Sequence, residues 1–183
     1  VGAWFALLVP PHPNILDQDV ATAVRHSGTW QLAHAGMFVT GMAAVVAAAG
    51  IVSLYDGRLG RIGDVGLIAM LVTGVATASV GMVEATVFPL LARTSPDTIA
   101  FDGPIFTSPL FRALSGPWLL LPLVFALFGW LARRAGDYRV AGTALALSGV
   151  GFFAFGMWFV PVVGVVSSIA LGAALWWWAA LLW

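Results

Sequence analysis

Long apolar segments separated by short polar turns dominate the chain. Each is close to the roughly 20 residues that an α-helix needs to cross about 30 Å of hydrocarbon, and none shows the alternating polarity of a membrane-barrel strand. The pattern predicts an all-α fold, a polytopic transmembrane helical bundle formed by a single domain. Five complete spans are predicted at about 30–54, 65–91, 117–134, 140–159 and 162–183.

Residues 1–10 form a sixth apolar segment that is too short to cross a membrane. It is either an interfacial anchor or the end of a first helix, closed by Pro10, Pro11 and Pro13. We favour the second interpretation, which gives a six-helix arrangement with a partial first span.

Two longer connections, 10–29 and 92–116, are predicted on the outer side of the membrane. The second contains breakers of regular structure and the aromatic residues Phe101, Phe106 and Phe111. It is predicted either as a lid on the membrane surface or as an ordinary interfacial loop with aromatic anchors.

Composition strengthens the membrane assignment and excludes several functions. The chain is 61% hydrophobic and 9% charged, whereas soluble domains are roughly a quarter charged. The lipid bilayer is therefore an expected partner, and the scattered basic residues give no face for nucleic acid. The absence of Cys excludes a thiol nucleophile, a thiolate metal site and covalently attached haem.

Arginines give the predicted orientation. Arg58, Arg61, Arg133, Arg134 and Arg139 lie in two connections on the same side of the predicted bundle. By the positive-inside rule this side is cytoplasmic. The prediction is an integral protein of a prokaryotic cytoplasmic (inner) membrane, with a cytoplasmic C-terminus.

Two ionisable residues lie inside predicted spans. His34 and Glu84 are equally distant along the chain from the turn near Leu59, so an antiparallel hairpin brings them to the same height. Thr73 and Thr77 share the helix face of Glu84 because they precede it at helical spacing. An intramembrane ionisable residue is a functional-site hypothesis by default, so this is the candidate buried polar pair.

Three roles for the pair remain open. His34 and Glu84 are structural glue between helices, exchange protons in a coupled transport step, or bind a cofactor together with His12. Two imidazoles and a carboxylate suit a transition metal. A b-type haem would use His34 as one axial ligand, with His12, Met37 or Met42 as the other.

Familiar catalytic templates are missing from the sequence. Ser167 and Ser168 have no His or acid at their predicted depth, and a phosphate-binding loop ending in Lys is impossible because the chain has no Lys. Enzymatic activity is therefore not favoured, and no catalytic residue is assigned.

One broader pattern covers most of the chain. It comprises His12 with Pro13, then Asp17 or Asp19, Trp30 with His34, Glu84 with Ala85 and Pro89, and a closing Trp-rich helix. This pattern resembles a loose group of six-helix integral membrane proteins of high-GC bacteria and haloarchaea. The resemblance brings no established activity, but it implies a longer first helix and a clustering of His12, His34 and Glu84 near the outer face.

The leading functional prediction is a non-enzymatic accessory or structural subunit that packs against other subunits of a larger membrane complex. One alternative is a haem- or metal-binding redox protein with an outer-leaflet site built from His34, Glu84 and His12. The other is a proton-coupled carrier that uses the pair of His34 and Glu84.

Overall fold

The computed structural model describes residues 1–10, 19–136, 138–156 and 162–182, and every regular element in these ranges is helical. The predicted all-α class is confirmed. Five helical segments are long and apolar enough to cross a membrane, in agreement with the predicted number of complete spans. By helix length and composition, the chain is a multi-pass membrane protein.

The described elements include nine α-helices together with short π-helical and 3₁₀ turns. The α-helices are α1 (Val20–His26), α2 (Trp30–Leu54), α3 (Gly60–Thr86), α4 (Phe88–Thr94), α5 (Pro104–Thr107), α6 (Pro109–Ser115), α7 (Leu121–Arg134), α8 (Arg139–Gly151) and α9 (Val163–Leu182). The π-helical turns are Trp4–Leu8 and Phe152–Gly156, and the 3₁₀ turns are Pro96–Ile99 and Gly116–Leu120.

Two of the five candidate spans are composite. One runs through α6, the 3₁₀ turn Gly116–Leu120 and α7, and the other continues from α8 into the π-helical turn Phe152–Gly156. Pro122 lies in the first turn of α7, where its missing N–H breaks no hydrogen bond. The third span is therefore longer than the predicted 117–134, because it includes α6 and the 3₁₀ turn before α7.

The bundle is held together where glycines let two backbones touch. On α3, a Cβ at Gly81 would lie 2.6 Å from both the His34 oxygen and the Phe38 nitrogen of α2. Further along the same helix pair, a Cβ at Gly41 would collide with the backbone oxygen of Gly74. Helix association in membranes depends on such close packing, so these glycines set the distance between α2 and α3.

Glycines also allow close backbone packing between α7 and α8. A Cβ at Gly129 would lie 2.6 Å from the Gly142 oxygen, and one at Gly149 would lie 2.5 Å from the Pro122 oxygen. Gly36 of α2 instead faces the N-terminal turn, where Trp4 and Leu8 approach it. The helices of both pairs, α2 with α3 and α7 with α8, are thus in backbone contact.

A small second core lies at the end of the bundle where α2 begins. Val20, Val24, Phe88, Ala92 and Ile99 are buried there together with Trp30. Asp19 caps α1 by accepting a hydrogen bond from the Thr22 nitrogen at 2.8 Å, and hydrogen bonds from Thr22 lower the pKa of the Asp19 carboxyl. Residues 96–120, which we call the capping segment, pack onto this core through Ile105 and Phe106.

The close approach of α2 and α3 makes Gly81 sensitive to substitution. We expect Gly81→Ala to lower the free energy of unfolding by about 1–3 kcal/mol, because the added methyl group overpacks the contact. Gly50→Ala on α2 is the matched control, since a Cβ there would meet no atom within 4 Å and alanine favours a helix. Unfolding of detergent-solubilised protein, followed by tryptophan fluorescence, measures both. Equal effects of the two substitutions would contradict this account of the contact.

Candidate functional site

The structure brings His34 and Glu84 together. The His34 Nε2 atom lies 2.8 Å from the Glu84 Oε2 atom, and the two side chains are 6% and 15% exposed. Gly81, one helical turn before Glu84, allows this approach because it touches the α2 backbone at His34 itself. The remaining exposure belongs mostly to Glu84, which makes its carboxyl group the more accessible of the two.

Trp30 holds both members of this pair. Its indole ring stacks on the His34 imidazole with the ring centroids 4.2 Å apart. Its backbone oxygen lies 2.7 Å from the His34 Nδ1 atom, and its Nε1–H donates a hydrogen bond to the Glu84 backbone oxygen at 2.9 Å. The orientation of the imidazole is therefore fixed from two sides.

These contacts determine how protons are arranged. A carbonyl oxygen can only accept, so the His34 Nδ1 atom facing the Trp30 oxygen must carry a hydrogen. The short contact between the His34 Nε2 and Glu84 Oε2 atoms then requires one further proton, carried either by the imidazole or by the carboxyl group. In both arrangements the net charge of the pair is zero, which suits an apolar setting.

Thr73 and Thr77 are buried on the same helix as Glu84, but their hydroxyl groups bond locally. The Thr73 hydroxyl donates to the Ala69 oxygen at 2.8 Å, and the Thr77 hydroxyl donates to the Thr73 oxygen at 2.7 Å. Such bonds to the preceding turn satisfy a hydroxyl inside a membrane helix without a partner from another helix. The hydroxyl groups of these threonines are therefore satisfied within α3 and do not extend the polar pair.

A cavity of about 380 Å³ opens beside the pair. Its polar lining consists of His34, Glu84, Arg112 and Ser115, and most of its remaining wall is apolar or aromatic. The aromatic wall combines residues that are distant along the chain, among them Trp4, Trp30, Phe88, Phe106, Trp118 and Phe152. The cavity lies between the N-terminal turn, α2, α3 and the capping segment.

Aromatic contacts give the capping segment a defined form over this cavity. The ring of Phe106 contacts those of Phe88, Phe101 and Phe111, with centroids 5.4 to 5.9 Å apart. The Arg112 Nε–H donates to the Phe106 backbone oxygen at 2.5 Å. Offset and edge-on ring pairs of this kind add to the stability gained by burial, so the segment covers the cavity as a packed unit.

The N-terminal turn closes the opposite wall. The Trp4 Nε1–H donates to the Ala33 oxygen at 2.7 Å, one residue before His34. Phe5 contacts Phe152 edge-on, with the centroids 5.1 Å apart. Both residues belong to π-helical turns, a local geometry that often occurs at functional sites.

Sequence reasoning missed several of these residues. Arg112 and Ser115 fall in the predicted connection 92–116 and Trp118 falls at the start of a predicted span, and no periodic pattern links the three residues to His34. Trp4 belongs to a segment whose packing partner could not be read from the sequence. The clearest available signal was the density of aromatic residues in the predicted lid.

The predicted metal and haem ligands are only partly placed. His12 falls within residues 11–18, outside the described part of the chain, so the three-residue site of His12, His34 and Glu84 stays a prediction. Within the described ranges no three His, Asp or Glu side chains are grouped as a metal site.

Of the two methionines predicted as haem ligands, Met37 lines the cavity, whereas Met42 is 49% exposed. A metal bound at the His34 Nε2 atom would replace the proton that this atom shares with Glu84.

Comparison of the chain with protein-family models, with curated proteins and with solved structures gives no match. The resemblance to six-helix membrane proteins therefore stays a prediction. The cavity and the pair in its wall are the features of the molecule that indicate a function.

Breaking the pair should destabilise the protein unequally, depending on which partner is changed. His34→Ala leaves the Glu84 carboxyl group without its imidazole partner, and we expect a loss of about 3–5 kcal/mol in the free energy of unfolding. Glu84→Gln keeps a donor for the neutral imidazole and should cost about 1 kcal/mol. Denaturant titration in detergent compares the two variants. Losses of equal size would show that the shared proton does not hold the pair together.

Proposed function

We propose that this multi-pass membrane protein binds an elongated, lipid-soluble molecule in the cavity, with the polar group of that molecule at His34 and Glu84. The observation that carries the proposal is the position of one buried acid and base pair in the wall of an otherwise largely apolar cavity. Ligand sites are typically concave and apolar, with a few convergent polar groups that fix orientation.

The size and walls of the cavity support this proposal. Its volume of about 380 Å³ lies within the roughly 300–1,000 Å³ range of small-molecule sites. Its walls include Phe106, Trp118 and Leu119 from the capping segment and Trp4 and Leu8 from the N-terminal turn. Flat aromatic and branched walls of this kind suit an isoprenoid or acyl chain better than a polar substrate.

The chemistry of the pair indicates the polar group of the ligand. Because His34 and Glu84 share one proton and carry no net charge, a neutral carbonyl or hydroxyl group fits beside them at lower cost than an ion. Glu84 is the more exposed partner, so its carboxyl group is the expected hydrogen-bonding contact. The proposed ligand class is therefore an apolar molecule with a neutral oxygen-containing head.

Analysis of material bound to the purified protein tests this proposal. After gentle purification and solvent extraction, mass spectrometry should find one lipid-soluble compound enriched over bulk lipid at about one per chain. Val80→Trp places a larger side chain in the cavity wall, one turn before Glu84, and should lower occupancy at least about tenfold. Val75→Trp is the control on the same helix, because Val75 is 46% exposed.

The outcomes separate ligand binding from a purely structural role. Retention of the compound by the Val80→Trp protein, or an extract identical to bulk lipid, would contradict the proposed site. Loss of the compound from both variants would indicate damage to the fold and would count against an effect specific to the cavity. The unfolding midpoint of each variant is therefore measured in parallel.

The accessory-subunit interpretation stays a prediction. Several spans expose large apolar side chains, such as Val46, Ile68 and Leu147, at 62–72%. These surfaces fit lipid chains as well as they fit another subunit, so they do not favour a partner. A proton-coupled carrier would use the same His34 and Glu84 pair, and no separate observation favours transport over binding.

We propose, from the positive-inside rule, that the end of the bundle carrying Arg58 and Arg134 is cytoplasmic. Because the chain has no Cys, single Ser→Cys variants report orientation without background labelling. In intact cells an impermeant maleimide should label Ser95→Cys, beside the capping segment, and should label Ser53→Cys only after permeabilisation. The opposite pattern would reverse the assigned topology.

A further inference from the structure

Five arginines converge at the end of the bundle that is remote from the cavity. Arg58 and Arg61 lie in and just after the turn between α2 and α3, Arg133 and Arg134 end α7, and Arg139 begins α8. The fold brings these separate segments together in two adjoining clefts, and Arg134 lines both of them.

The first cleft combines charge with apolar surface. It measures about 340 Å³, and its three arginines are Arg58, Arg61 and Arg134. Leu59, Ile62 and Leu131 supply most of the remaining wall. The second cleft measures about 410 Å³ and is lined by Trp130, Arg133, Arg134 and Arg139.

No acidic residue of the described chain lines either cleft. Asp56 and Asp64 belong to the same end of the bundle, in the turn before α3 and in its first turns, but neither contributes to the walls. The Arg134 guanidinium group lies over the Trp130 ring, with its Cζ atom 5.4 Å from the ring centroid. This contact orients Arg134, and the planar fork of N–H groups in a guanidinium matches phosphate oxygens.

The surroundings favour a lipid over a free anion. Ile62, in the wall of the first cleft, and Val65, further along α3, are 44% and 60% exposed. Trp130 is 43% exposed beside the second cleft, as expected for a residue at the membrane interface. A phosphate held by the arginines would thus have apolar side chains next to it for an attached acyl chain, and basic pockets between membrane helices bind such lipids.

We propose that the cleft of Arg58, Arg61 and Arg134 binds the phosphate group of an anionic phospholipid whose acyl chains lie along α3 and α7. The occupant is a membrane lipid of the leaflet that surrounds this end of the bundle. This site is independent of the cavity beside His34 and of the ligand proposed there.

Lipid titration of the delipidated full-length chain in a non-ionic detergent tests the proposal. Native mass spectrometry should detect binding of phosphatidylglycerol and much weaker binding of phosphatidylcholine. Each arginine removed from the cleft should weaken phosphatidylglycerol binding about fivefold, so Arg61→Gln and Arg134→Gln each show this loss and the double variant loses about 25-fold. Added salt should weaken binding further.

Arg93→Gln is the matched control, because Arg93 is an exposed arginine in the last turn of α4, at the other end of the bundle. It should leave phosphatidylglycerol binding unchanged. Equal loss in this variant, or equal binding of the two lipids by the wild-type protein, would overturn the proposal. Inorganic phosphate tests the source of the anion: competition at millimolar concentration without any preference for the intact lipid would make the cleft a phosphate site and would refute lipid binding.

Discussion

The backbone contact between α2 and α3 is the constraint on which the candidate site depends. Hydrocarbon gives no hydrophobic force between membrane helices, so their separation is set by how closely their surfaces pack. Gly81 lets α3 touch α2 at His34 and Phe38. A larger residue at position 81 would push the two helices apart. The His34 imidazole and the Glu84 carboxyl group would then be too far apart for their short contact. The contact between the His34 and Glu84 side chains therefore depends on the close packing at Gly81.

The pair in turn explains why Trp30 occupies the start of α2. An isolated charge is costly at membrane depth, but an imidazole and a carboxyl group that share one proton behave as a neutral unit. Trp30 maintains this unit by accepting a hydrogen bond from the His34 Nδ1 atom and by donating one to the Glu84 backbone. A single residue thus links the two helices and fixes the tautomer of His34.

The sequence predicted the helical class and the equal heights of His34 and Glu84 because both follow from helix length and spacing. It could not assign helix faces to particular neighbours. The glycines of α2 do not share one neighbour: Gly36 faces Trp4 and Leu8, whereas Gly41 lies against the backbone of α3. Packing in a membrane depends on shape more than on polarity, and shape leaves little periodic signal. The cavity was unpredictable for the same reason, since its walls come from segments without a shared pattern.

The form of the cavity supports the proposed occupant. The cavity lies beside a helix pair in backbone contact and is covered by the packed capping segment. Such open space is unusual, because protein interiors are normally close-packed. Water would find few polar partners on walls that are mostly apolar. An apolar molecule of the proposed class would fill this space and contact the remaining polar groups, so occupancy of the cavity and stability of the capping segment should be linked.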